Sequence, residues 1–133
     1  MHIAHILRKY EPAQWGGTET AVLRLIQGLQ SHGATSSVHA PRHSLPLVND
    51  PMRQAGTPVR RYHAFVPVLG ISQRQREELV SWGGNLFSFD LFSHLLREKA
   101  DVIHSHALNR IAGIGLRVAH WKKIPHVITL HGG

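Results

Sequence analysis

The chain has 133 residues, of which 42% are hydrophobic: a length that fits one domain and a composition that builds a packed core rather than a disordered chain. It contains no cysteine, which excludes disulfides, thiolate nucleophiles and cysteine-ligated zinc. A formal net charge of +7 beside twelve histidines favours anionic partners. The basic residues are scattered, with pairs at Arg60 and Arg61, Arg74 and Arg76, and Lys122 and Lys123, so nucleic acid is not an expected partner.

Residues His2–Leu7 (HIAHIL) read as a buried strand opening the chain. No apolar run approaches the roughly 20 residues of a membrane span. The opening residues also lack the basic region and cleavage site of a secretory signal, so the expected location is cytoplasmic. A loop containing Pro12, Gly16 and Gly17 comes next. A helix then starts at Thr18, its predicted N-cap, with Val22, Leu25, Ile26 and Leu29 as the buried stripe and Gly33 just past its end. Ser36–Ala40 reads as a second strand. Beyond it lies loop with one helical turn around Met52–Ala55, then a third strand at Val59–His63. A helix is expected near Ser72–Trp82. Another spans Ser88–Lys99, with Phe89, Phe92, Leu95 and Leu96 sharing a face. Asp101–Ser105 is strand. Leu108, Ile111, Gly115 and Val118 mark the next helix, with Ala112, Gly113 and Ala119 allowing close packing. Pro125 stops it, and His126–Leu130 is the last strand. This alternation predicts an α/β fold: a parallel sheet with helices on both faces.

In such sheets ligands bind beyond the carboxyl ends of the strands. Three strand ends there deliver Gly16 and Gly17, then His106 with Asn109 and Arg110, then His131. Glycines ahead of a helix admit a ligand close to the backbone, and the helix N-terminus offers unpaired N–H groups suited to a diphosphate. Equally, the pair could serve a turn that needs positive φ. Glu19 beside them suits a hydroxyl-rich or cationic acceptor better than a phosphate. His104 and His106 point the same way on a strand, but no third ligand lies at sequence spacing nearby, so no metal is expected. His2, His5, His32, His39, His43, His63, His94 and His120 form no constellation in sequence. Trp82, with Leu86 and Phe87 beside it, is read either as an ordinary loop or as a lipid-facing one.

The opening strand, Tyr10-x-Pro12, Gly16-Gly17-x-Glu19 and the helix ending in His32-Gly33 resemble the start of family 4 glycosyltransferases. So do Asp101–His106 (DVIHSH) and Pro125–Gly133 (PHVITLHGG). The resemblance covers most of the chain except residues 41–87, which match the family's variable acceptor region. It implies a GT-B architecture of two Rossmann-like domains, with residues 1–133 forming an incomplete N-terminal, acceptor-side domain. It further implies a retaining enzyme that moves a sugar from a nucleotide-sugar donor to a sugar, lipid or small-molecule acceptor. In that frame Gly16 and Gly17 meet the donor diphosphate, and His106 is the catalytic residue placing the donor sugar. Glu19, Asn109, Arg110 and His131 lie on the acceptor side. No cofactor or metal is implied beyond the nucleotide sugar as co-substrate. The chain stops before the family's donor-binding half, so the isolated chain is expected to be inactive and to bind nucleotide weakly. A missing C-terminal domain, an oligomer and peripheral membrane contact are the associated expectations. The His106→Ala change is expected to cut transfer while leaving the fold intact. The alternative is a non-catalytic interaction or regulatory module built on the same fold, which restored transfer on adding a second domain would exclude.

Overall fold

The computed structural model describes residues 1–42, 50–67, 69–81 and 86–131. Five strands, β1 (His2–Ile6), β2 (Thr35–Pro41), β3 (Val59–Tyr62), β4 (Val102–Ser105) and β5 (His126–Ile128), form one sheet in the order β3-β2-β1-β4-β5. All four pairings are parallel. The helices are α1 (Gly17–Ser31), α2 (Pro51–Gln54), α3 (Gln73–Ser81), α4 (Phe89–Arg97) and α5 (Arg110–Lys122), and a short 3-10 turn at Pro12–Gln14 joins β1 to α1. Alternation along the strands sends Ala4, Ile6 and Ile103 to one face, where they pack with Leu91 and Leu95 of α4 and Ile111, Ile114 and Val118 of α5. Leu7, Val38 and Val59 go to the other face, against Val22 and Ile26 of α1 and Met52 of α2. The α/β fold with helices on both faces is therefore present, and it is Rossmann-like.

In α1, α4 and α5 the stripes keep most of the members that periodicity gives them, with one edge of each stripe moved. In α1 the inward positions are Glu19, Val22, Leu23 and Ile26, while Leu25 is exposed. In α4 they are Leu91 and Leu95 with Phe92 partly buried against the core, and Phe89 stands 70% exposed. In α5 they are Ile111, Ile114, Gly115 and Val118, and Leu108 lies outside the helix and exposed. The shifts have one cause. A 0, 3, 4, 7 spacing fixes an arc but not which edge of that arc the sheet covers. Thr18 is likewise not the N-cap of α1. Gly16 holds that position, and Glu19 reaches back so that its Oε2 accepts the Gly16 N–H at 3.1 Å. Gly33, with φ +83°, lies just past the helix end as expected.

Close packing in α5 falls on Gly115 rather than Gly113. A Cβ at Gly115 would lie 2.8 Å from Ile6 Cδ1, 3.1 Å from Ser105 Oγ and 3.3 Å from His126 Nε2, whereas one at Gly113 meets nothing within 4 Å. Gly115→Ala should therefore lower stability by about 1–3 kcal/mol through overpacking. Gly113→Ala should raise it by about 0.5–1 kcal/mol through helix propensity. Thermal unfolding of the two variants checks both signs.

The segment 41–87 contributes β3, α2, α3 and an antiparallel bridge between Phe65 and Phe87. Trp82 and its two following glycines lie outside the described residues. Leu86, read from sequence as part of either an ordinary or a lipid-facing loop, is fully buried in the core with residues of α4 and α5.

Candidate functional site

The strand order reverses between β1 and β4: β2 and β3 lie to one side of β1, β4 and β5 to the other. The crevice outside the carboxyl ends at such a reversal is where α/β sheets hold ligands. The exits of β1, β4 and β5, three neighbouring strands, bring Gly16 and Gly17, His106 and His131 to this edge.

A hydrogen-bonded row of histidines occupies the reversal. His5 on β1 and His104 on β4 stand in register. His5 Nδ1 lies 3.0 Å from His106 Nε2, and His106 Nδ1 lies 3.1 Å from His131 Nε2. The inner end closes on Ser36 Oγ of β2, 3.2 Å from His5 Nε2. His104 stacks on His106 with ring centroids 4.0 Å apart and shares a hydrogen bond with Thr129 Oγ1 at 2.7 Å.

His5 and His106 are buried. Burial first, then the neighbouring rings, lowers the His5 imidazole to about 3 and the His106 imidazole to about 2. Both are neutral at pH 7, and each then carries one ring proton. The His5–His106 link holds a single proton, so the two rings must share one tautomer, and that choice sets which way His106 Nδ1 bonds toward His131. The arrangement keeps both rings neutral, couples their tautomers and fixes the orientation of a ring at the ligand edge without using a carboxylate.

Ring nitrogens of His5, His104 and His106 all lie within 4.8 Å of one another, close enough to serve one metal ion. The third ligand missing from sequence spacing comes from the neighbouring strand, which corrects the expectation that none stands nearby. Both nitrogens of His5 and of His106 are already bonded to other groups of the protein. A metal would have to displace at least one of these bonds on each of the two rings.

The glycine pair is not there for a strained turn. Gly16 has φ −133°, Gly17 is helical, and a Cβ at Gly17 would meet nothing within 4 Å. The open space above the N-terminus of α1 is available to a ligand. Glu19 is buried and engaged in capping α1. Asn109 N-caps α5, with its Oδ1 accepting the Ala112 N–H at 3.1 Å. Arg110, the first residue of α5, stays at the surface.

Three other histidines have partners that their sequence positions do not signal. His39 and His2 bond the two oxygens of Glu98 at 2.6 and 3.0 Å. Burial raises the Glu98 carboxyl, but the hydrogen bond and charge of His39, with that of His2, outweigh it and hold the group at about 2. His126 Nε2 lies 2.8 Å from Ser105 Oγ. His5, His39 and Glu98 escape sequence reading because only strand register and helix docking bring them to their partners.

Among solved structures, MurG of Acinetobacter baumannii superimposes with a TM-score of 0.58 at 18% identity, over 96% of this chain and 34% of that one. The chain thus spans about a third of MurG. The C-terminal domain of the PF1911 hydrogenase from Pyrococcus furiosus superimposes equally well, with a TM-score of 0.58 at 10% identity, over 97% of this chain and 89% of that one. At such identities the likeness concerns the fold, which different functions share. No curated protein matches the chain. Among the described residues no helix is long and apolar enough to cross a membrane. The model of the glycosyl transferase 4-like domain matches residues 16–133, most of the chain, including Gly16 and Gly17, His106 and His131, and the protein belongs to that family.

Proposed function

We propose that residues 1–133 act as the acceptor-side domain of a retaining glycosyltransferase, which moves a sugar from a nucleotide-sugar donor to an acceptor hydroxyl. The observation that carries this reading is the placement of the family's motifs on three adjacent strand ends: the glycine pair after β1, His106 after β4 and His131 after β5. The N-terminus of α1, open above Gly17, suits the donor diphosphate through backbone N–H groups. His106, oriented by His5 and sharing its tautomer, presents a ring nitrogen to the sugar, the one it now shares with His131. Arg110 and His131 flank the acceptor side. Glu19 contributes by holding the glycine loop, since its carboxylate caps α1. Asn109 acts in the same way at α5.

The complete gene product, incubated with a panel of uridine- and guanosine-diphosphate sugars and an extract of cellular acceptors, should release nucleoside diphosphate only when acceptor is present. The transferred sugar should keep the donor's anomeric configuration, read by NMR of the product. No release with any donor of the panel would overturn the reading, and inversion at the anomeric carbon would overturn its retaining part.

A further inference from the structure

Helix α5 carries an unusual stripe at the edge of its buried face. Arg110, Gly113, Ile114 and Arg117 occupy positions 0, 3, 4 and 7 of one face, so two arginines stand about two turns apart with a bare glycine between them. Opposite that stripe is a wall of phenylalanines. Phe65 and Phe87 are joined by their bridge with ring centroids 5.8 Å apart, Phe89 packs on both at 5.8 and 4.9 Å, and Phe92 lies 6.2 Å from Phe87. Wall and stripe enclose an open groove of about 620 Å³, within the usual range for small-molecule sites. No acidic side chain lines it. Phe89, 70% exposed at the first position of α4, contributes little to the core and much to the groove.

We propose that this groove binds an anionic amphiphile: a single molecule whose hydrocarbon part lies along the phenylalanines and over Gly113, with its phosphate or carboxylate head at Arg117 and Arg110. The reasons are complementary. An apolar chain gains about 25 cal/mol for each Å² it buries. Arg110 and Arg117 both line the groove, no carboxylate does so among the described residues, and arginine matches phosphate and carboxylate geometry. Gly113 forms a floor where any side chain would occupy the space, and nothing in the fold requires glycine there, since a Cβ meets nothing within 4 Å. The Arg110 end opens toward the exit of β4, where His106 sits. Together with the transferase reading this makes the acceptor an amphiphile, a step that rests on that reading. The binding itself does not.

The test is titration of the protein with dodecyl phosphate below its micelle concentration, monitored by calorimetry. Fluorescence of Trp121, whose ring lies 6.1 Å from Phe92, gives a second readout. Saturable one-to-one binding is expected. Arg117→Gln should weaken it about tenfold, and so should Gly113→Leu, with a melting temperature at or above that of the parent because leucine is the better helix former. Inorganic phosphate and the neutral dodecyl maltoside should each bind at least tenfold more weakly. Equal binding of phosphate alone, equal binding of the neutral surfactant, or no effect of Gly113→Leu would each overturn the proposal. So would binding seen only with anionic vesicles, which would mark a membrane-facing surface instead. Binding as expected, in a protein that transfers no sugar, would leave the groove standing and remove the transferase reading alone.

Discussion

Replacing His106 with alanine is expected to lower kcat/KM for sugar transfer by about 100-fold or more, the size of effect produced by loss of a positioned group at the reacting centre. It should also cost stability. His106 is buried and bonds His5 through Nε2, so the alanine variant leaves the His5 Nδ1 nitrogen buried without a partner. That carries a penalty of about 1–3 kcal/mol. The fold is still expected to stay intact, but with this stability cost, because burial and the histidine row give His106 a structural role as well. The two effects separate by measurement. Transfer is assayed well below the variant's melting temperature, with circular dichroism confirming the folded state. His5→Asn serves as a second variant that disturbs the row while leaving His106 in place. It should lower kcat more than it raises KM, through loss of the bond that orients the His106 ring. Wild-type kcat/KM in the folded His106→Ala protein would end the assignment.

A steep loss of stability in mild acid is the second expectation. In the unfolded chain His5 and His106 titrate near 6.5, whereas in the folded protein they titrate near 3 and 2. Between those values the unfolded state binds more protons, so stability is fully present above about pH 6.5 and falls as the pH drops toward 3. At pH 4.5, two pH units below the unfolded value, each ring costs about 3 kcal/mol and the pair about 5 kcal/mol. That rivals the whole stability of an ordinary domain, about 5–15 kcal/mol. Glu98 acts in the same direction further down, since its carboxyl is lowered from 4.5 to about 2. Urea unfolding monitored by circular dichroism from pH 7.5 to 4.5 should show the midpoint falling from just below pH 6.5. His5→Asn should remove roughly half of that slope. A midpoint unchanged between pH 7.5 and 5 would contradict the neutral, buried state of the two rings.

Much of this protein is legible in its amino-acid order. Short apolar runs such as HIAHIL and HVITL, set between helical periods and punctuated by Gly33 and Pro125, specify strands, helices and a parallel α/β sheet, because side-chain period and backbone breakers are local properties. The strand-end residues Gly16, Gly17, His106 and His131 are likewise identifiable, since chain order alone assigns the residues at each strand exit.

Tertiary structure decided everything that depends on neighbours distant in the chain. Strand order set His5 beside His104 and under His106, and so made one hydrogen-bonded row from residues about 100 positions apart. Helix docking chose which edge of each apolar arc faced inward, burying Leu91 and leaving Phe89 for the groove. It also made Gly115 the crowded glycine of α5 and Gly113 the open one. Capping consumed Glu19 and Asn109, two residues whose chemistry alone suggested ligand contact. In each case the physical reason is the same. Sequence encodes periodicity and chemistry along one dimension, whereas register, docking angle and hydrogen-bond partners arise only when the elements pack.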